Sequence, residues 1–123
     1  MGNNPGWIKL YRSLLEWEWH TDPQMVSLFV HIILRANTED ASFKGYAVKR
    51  GQLITSRARL SAITGISEQS IRTCMNRLKK SGEITEKSTN KFTIVTICKY
   101  EFYQSRSDAT NQQPTSNQPQ IKK

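Results

Sequence analysis

Apolar positions along the first third of the chain recur at helical intervals. Trp7, Leu10, Leu14 and Trp17, with Tyr11 and Leu15 beside them, predict an amphipathic helix of about three turns. His20–Asp22 interrupts it. Asp22-Pro23 then reads as a helix start, because Asp can cap the free amides and Pro fits the first turn. The helix that follows runs to about Ala36. Val26, Phe29, Val30 and Ile33 form one stripe and Met25, Leu28 and Ile32 another, the pattern of a central, buried helix.

The polar stretch Thr38–Gly45 reads as a loop. Tyr46–Val48 and Gln52–Thr55 are short strand candidates around Gly51. Ser56 caps a helix through Thr64, Gly65 supplies a tight turn, and Ser67 caps a further helix ending near Ser81-Gly82. Glu83–Lys87 and Phe92–Cys98 are rich in β-branched residues, and the short link Ser88-Thr89-Asn90-Lys91 makes them a hairpin. Tyr100, Phe102 and Tyr103 are expected to pack its end back onto the helices. From Ser105 onward the chain is almost wholly Ser, Thr, Asn, Gln and Pro, too polar to offset its ordering entropy. These elements predict a mainly α fold with a small β-hairpin, a winged helix-turn-helix domain over 1–104, and a disordered polar tail or linker over 105–123.

Charge sharpens this picture. The chain carries a formal +8, and between Lys49 and Lys91 ten basic residues face only Glu68, Glu83 and Glu86. The excess is therefore local, as expected of a footprint for a polyanion. The two cysteines, Cys74 and Cys98, lie far apart within apolar patterns and read as buried thiols in a reducing compartment. Together with His20 and His31 they match no metal-ligand spacing. His31, on an apolar helix, reads as a histidine at the edge of the core. The longest apolar stretch, Leu28–Leu34, is too short to span a bilayer, so no membrane contact and a cytoplasmic location are expected. Among the tryptophans, core packing or a dimer contact is favoured over a base-stacking platform. No phosphate-cradling glycine loop, nucleophile elbow or carboxylate cluster beside a histidine is present. Neither catalysis nor a cofactor is expected.

The segment Leu60–Leu78 carries the functional signal. Leu60 and Ile63 are placed to anchor the first helix and Ile66 to plug the corner. Ile71, Cys74, Met75 and Leu78 are placed to hold the second helix to the core. At about 100° per residue, Gln69, Thr73, Asn76 and Lys80 fall on the opposite side, flanked by Arg72 and Arg77. Amide and guanidinium groups can make two-pronged contacts to purine edges, so Gln69, Ser70, Thr73 and Asn76 are the candidates for reading bases. Arg57, Arg59, Arg72, Arg77, Lys80, Lys87 and Lys91 are the candidates for phosphates, with Lys87 and Lys91 at the hairpin tip. Glu68 lies nearer the buried edge and suits the helix dipole. The competing reading is a solvated helix face on a domain that binds protein. Double-stranded DNA is the favoured partner.

Gly6-Trp7-Ile8-Lys9-Leu10-Tyr11-Arg12, Leu15-Glu16-Trp17-Glu18-Trp19, Asp22-Pro23, Lys49-Arg50-Gly51-Gln52-Leu53-Ile54-Thr55-Ser56-Arg57 and Thr89-Asn90-Lys91-Phe92-Thr93-Ile94 carry a further signal. They resemble the start of phage and bacterial replication-initiation proteins of the replisome-organiser, DnaD-like type, over about Gly6–Tyr103. The resemblance implies a winged-helix domain that binds origin DNA, self-associates, and helps recruit a helicase or helicase loader. That family continues into a second helical domain, whereas here a polar tail follows Ser105. A transcriptional regulator and a protein-interaction scaffold for assembly are the rival functions.

Overall fold

A computed structural model describes residues 6–104. The expected polar tail, 105–123, lies outside the described residues. Residues 6–11 run extended into a short 3-10 turn, Arg12–Glu16. Helix α1 (Pro23–Arg35) is followed by strands β1 (Ala41–Phe43), β2 (Tyr46–Val48) and β3 (Gln52–Thr55). Helices α2 (Arg57–Thr64) and α3 (Glu68–Lys80), strands β4 (Ile84–Ser88) and β5 (Thr93–Ile97), and helix α4 (Tyr100–Gln104) follow among the described residues.

The expected mainly α domain with one hairpin is corrected by two sheets. Helices hold 44% and strands 20% of the described residues, which makes the fold mixed α/β. β3 joins the expected hairpin as a third strand, in the order β3-β5-β4, and β1-β2 form a separate two-stranded sheet. β3 is recruited because Leu53 and Thr55 point inward opposite Val95 and Thr93, which buries the alternate positions of both strands. β2 falls at the expected strand Tyr46–Val48, whereas β1 and the turn that pairs it with β2 lie inside the segment read as a loop. Lys44 (φ 49°) and Gly45 (φ 85°) both take the left-handed region, as a two-residue type I′ turn requires.

The N-terminal segment also departs from the expected helix. Trp7, Leu10, Leu14 and Trp17 do not share a helix. The 3-10 turn has no side-chain cap at Tyr11 and no acidic residue in its first turn, so nothing local starts a longer helix. Lys9 instead donates its amide to the Tyr103 carbonyl at 2.7 Å, and Tyr11 packs on Phe102 with ring centroids 4.4 Å apart. Trp17 reaches the core, but Trp7, Leu10 and Leu15 are exposed.

The core lies between α1, α2, α3 and the inner face of the three-stranded sheet. Met25, Leu28, Ile32 and Ile33 of α1 meet Leu60, Ile71, Leu78, Ile84 and Val95 there. α1 begins where expected: the Asp22 carboxylate accepts from the Gln24 and Met25 amides, a cap that stabilises by about 1 kcal/mol. Ser56 and Ser67 cap α2 and α3 in the same way, and Gly65 between them is left-handed at φ 81°. Ile66 is buried, as expected of a plug, but Ile63 is 43% exposed and does not anchor α2. Cys74 is buried and its thiol pKa is pushed up, first by burial. Cys98 is exposed, against expectation, because it follows β5 at the turn into α4. Among the described residues no helix is long and apolar enough to cross a membrane.

Candidate nucleic-acid interface

Helix α3 builds the site. Ile71, Cys74, Met75 and Leu78 are buried and fix its orientation, while Gln69, Arg72, Thr73, Asn76 and Lys80 are exposed. The amphipathic period thus separates the side chains that hold the helix from those that face outward. Gln69 and Asn76 make no side-chain hydrogen bond within the protein among the described residues. Their amides are available to an external partner. Thr73 is exposed too, though its hydroxyl donates to the Gln69 carbonyl at 3.3 Å. Ser70 is half-buried on the flank, and its amide donates to the Ser67 cap. Gln69, Thr73 and Asn76 therefore share one open face, and Ser70 sits at its edge.

The seven cations assigned to phosphates do not form one set. Arg72 and Lys80 border the open face. Arg57 and Lys91 line a hollow of about 410 Å³ beside α3, between the start of α2 and the β4–β5 tip. Arg77 is engaged elsewhere: its guanidinium lies over the Trp19 ring at 4.5 Å and pairs with Asp22 at 3.2 Å. It therefore ties α3 to the start of α1. Lys87 is opposite Ile94, on the sheet face away from Ile84, Glu86 and Val95, since side chains alternate along a strand. Arg59 turns toward a second groove, lined also by His31, Arg35 and Phe43.

Acidic groups modulate the hollow. Glu68 and Glu86 line it, but Lys79 holds Glu86 at 2.6 Å. Glu68 stands in the first turn of α3, where its charge suits the helix dipole. The tip itself is stiffened by Thr89, whose hydroxyl accepts from the Lys91 and Phe92 amides and donates to the Phe92 carbonyl. Thr89 is therefore used internally, and the side chain it positions outward is Lys91, which is exposed.

Sequence reasoning missed two features. One is the Trp19–Arg77–Asp22 knot, which joins residues distant in sequence and leaves no local pattern. The other is the β1–β2 hairpin with its exposed Phe43 and Tyr46. Its signal was present as Lys44-Gly45 between two aromatic residues, a hairpin turn hidden in a polar stretch. Arg50 is a further basic residue that the structure removes from the binding surface. It pairs with Glu101 at 2.7 Å, caps the Gln104 carbonyl at 3.1 Å and lies 5.1 Å from the Tyr100 ring centroid. No protein-family model matches this chain, nor does any curated protein or solved structure. Among the described residues no group of three or more His, Cys, Asp and Glu could hold a metal ion.

Proposed function

We propose that this chain is a duplex-DNA-binding module that acts in the initiation of replication. The observation that carries the reading is the open face of α3. It holds Gln69, Thr73 and Asn76, is bordered by Arg72 and Lys80, and has no acidic side chain at its centre. A helix can enter the major groove, where two-pronged amides suit adenine edges and Arg suits guanine. Arg57 and Lys91 beside it would neutralise phosphates and fix the register. The choice of replication over transcription rests on the family resemblance of the N-terminal and hairpin segments. It carries with it a cytoplasmic location and a helicase or helicase loader as protein partner.

A scaffold reading has one observation in its favour. Trp7, Leu10 and Leu15 are 69%, 56% and 60% exposed, and each offers apolar area for self-association. This is compatible with DNA binding and adds an oligomeric state to it. The test is selection of bound sequences from a random duplex pool, followed by sedimentation of the free protein. A recovered consensus supports base reading from α3. Uniform recovery of all sequences, with no weakening by salt, removes DNA as the partner.

A further inference from the structure

The second groove adjoins the hollow beside α3, and Thr55, Ser56, Lys91 and Phe92 line both. Its volume is about 640 Å³, within the range of pockets that take a small ligand or one unit of a polymer. Val48, Leu53 and Phe92 give it an apolar lining. Arg35, Lys44, Arg59 and Lys91 supply positive charge, and no Asp or Glu lines it. Phe43 is 42% exposed and meets Phe92 edge-on at 5.7 Å between ring centroids, while Tyr46 meets the same ring at 5.0 Å.

That combination is selective. Cations without carboxylates favour an anion, and exposed aromatic rings favour a flat, unpaired π-system. A duplex hides its base faces and offers only phosphate to such a groove. An acidic peptide satisfies the charge but leaves the rings without a stacking partner. The Lys44 ammonium lies 5.5 Å from the Phe43 ring centroid, over the ring. We propose that this groove binds single-stranded nucleic acid, with an unstacked base displacing Lys44 from the face of Phe43 and its phosphates on Arg35, Arg59 and the displaced Lys44. The groove shares Lys91 with the duplex surface but no side chain of α3 lines it, and the proposal does not rest on the duplex reading.

The test uses the full chain with fluorescein-labelled dT12 and U12, a labelled duplex, and a labelled poly-Glu peptide, at fixed low salt. The protein is expected to bind dT12, U12 or both, and Phe43→Ala should weaken that binding by about 5- to 150-fold, the worth of one base–aromatic stack. Phe43 also packs on Phe92, so Arg35→Ala with Arg59→Ala is the second variant, and it should weaken the single strand without altering the hairpin. The His31 ring resonances should shift on adding the oligonucleotide. Asn76→Ala on α3 should leave single-strand affinity unchanged, while Phe43→Ala should leave duplex affinity unchanged. The proposal is overturned by equal binding of poly-Glu and both oligonucleotides. It is also overturned if the Phe43 and Arg35/Arg59 variants bind single strands as the parent does, or if Asn76→Ala lowers single-strand and duplex affinity alike. A parent protein that binds the single strands but not the duplex counts against the α3 reading and supports this one.

Discussion

Replacing Arg72 and Lys80 by Ala together should flatten the salt dependence of duplex binding by about half. Of the seven cations legible as phosphate ligands, the structure leaves four exposed at or beside the open face of α3: Arg57, Arg72, Lys80 and Lys91. Neutralising about four phosphates gives a slope of log affinity on log salt of about −3.6, so affinity falls about 150-fold between about 50 and 200 mM salt. Removing two cations lowers the slope to about −1.8 and the loss to about 12-fold over the same range. Both positions are exposed and helical and Ala is a strong helix former, so the fold is retained and the change is confined to binding. Fluorescence anisotropy of a labelled duplex across a salt series measures the slope directly. A slope that stays at its parental value in the double variant refutes the assignment of these two side chains to phosphates. A parental slope near zero refutes the whole electrostatic footprint.

Three further outcomes follow from the geometry. Arg77→Ala should leave the salt slope unchanged but destabilise the domain by about 1 kcal/mol, since it removes a half-exposed ion pair to Asp22 and a cation–π contact to Trp19; chemical denaturation and the same salt series separate the two effects. Gly51→Ala should cost about 2–4 kcal/mol, read by thermal unfolding, because Gly51 has φ 84° and an added Cβ would meet the Tyr100 Cβ at 2.9 Å. His31 should titrate below its ordinary value of about 6.5, because burial disfavours the imidazolium and Arg35 and Arg59 repel it. The unfolded chain then takes up a proton that the folded one refuses, so stability is full above about pH 6.5 and falls as pH drops from there toward the folded pKa. An NMR titration midpoint above 6.5, or an acid limb unchanged by His31→Gln, contradicts this.

The parts of the fold that were legible from sequence are those whose signals are local. Asp22-Pro23 marked the start of α1 because a cap and a fixed φ act within one turn. The open face of α3 was legible because four buried residues recur at helical spacing on one side. The β4–β5 hairpin declared itself through β-branched residues around a short link. What failed depends on residues far apart. β3 was recognised as a strand, but its pairing with β5 joins Leu53 to Val95, and no local pattern encodes a partner. β1 is exposed at all three positions, so it shows no alternation to read. The N-terminal apolar spacing was real, yet Tyr103 and Phe102 offered that segment a better surface than its own helix. In the candidate site the residue types were legible and their use was not: Arg72 and Arg77 look alike in sequence, and only Trp19 and Asp22 distinguish them.

The last described helix and the first described segment have a shared fate. α4 has five residues, too few to persist by itself, and is held by the buried Tyr100 and Tyr103, by the Arg50 guanidinium, and by the strap of residues 6–11 laid across it. The strap in turn has no regular structure and is held by the Lys9–Tyr103 hydrogen bond, the Tyr11–Phe102 contact and Ile8 packed against the core. Loosening α4 removes two of the strap's three anchors, so the two extremities of the described chain act as a coupled latch, and a pull at one is felt at both.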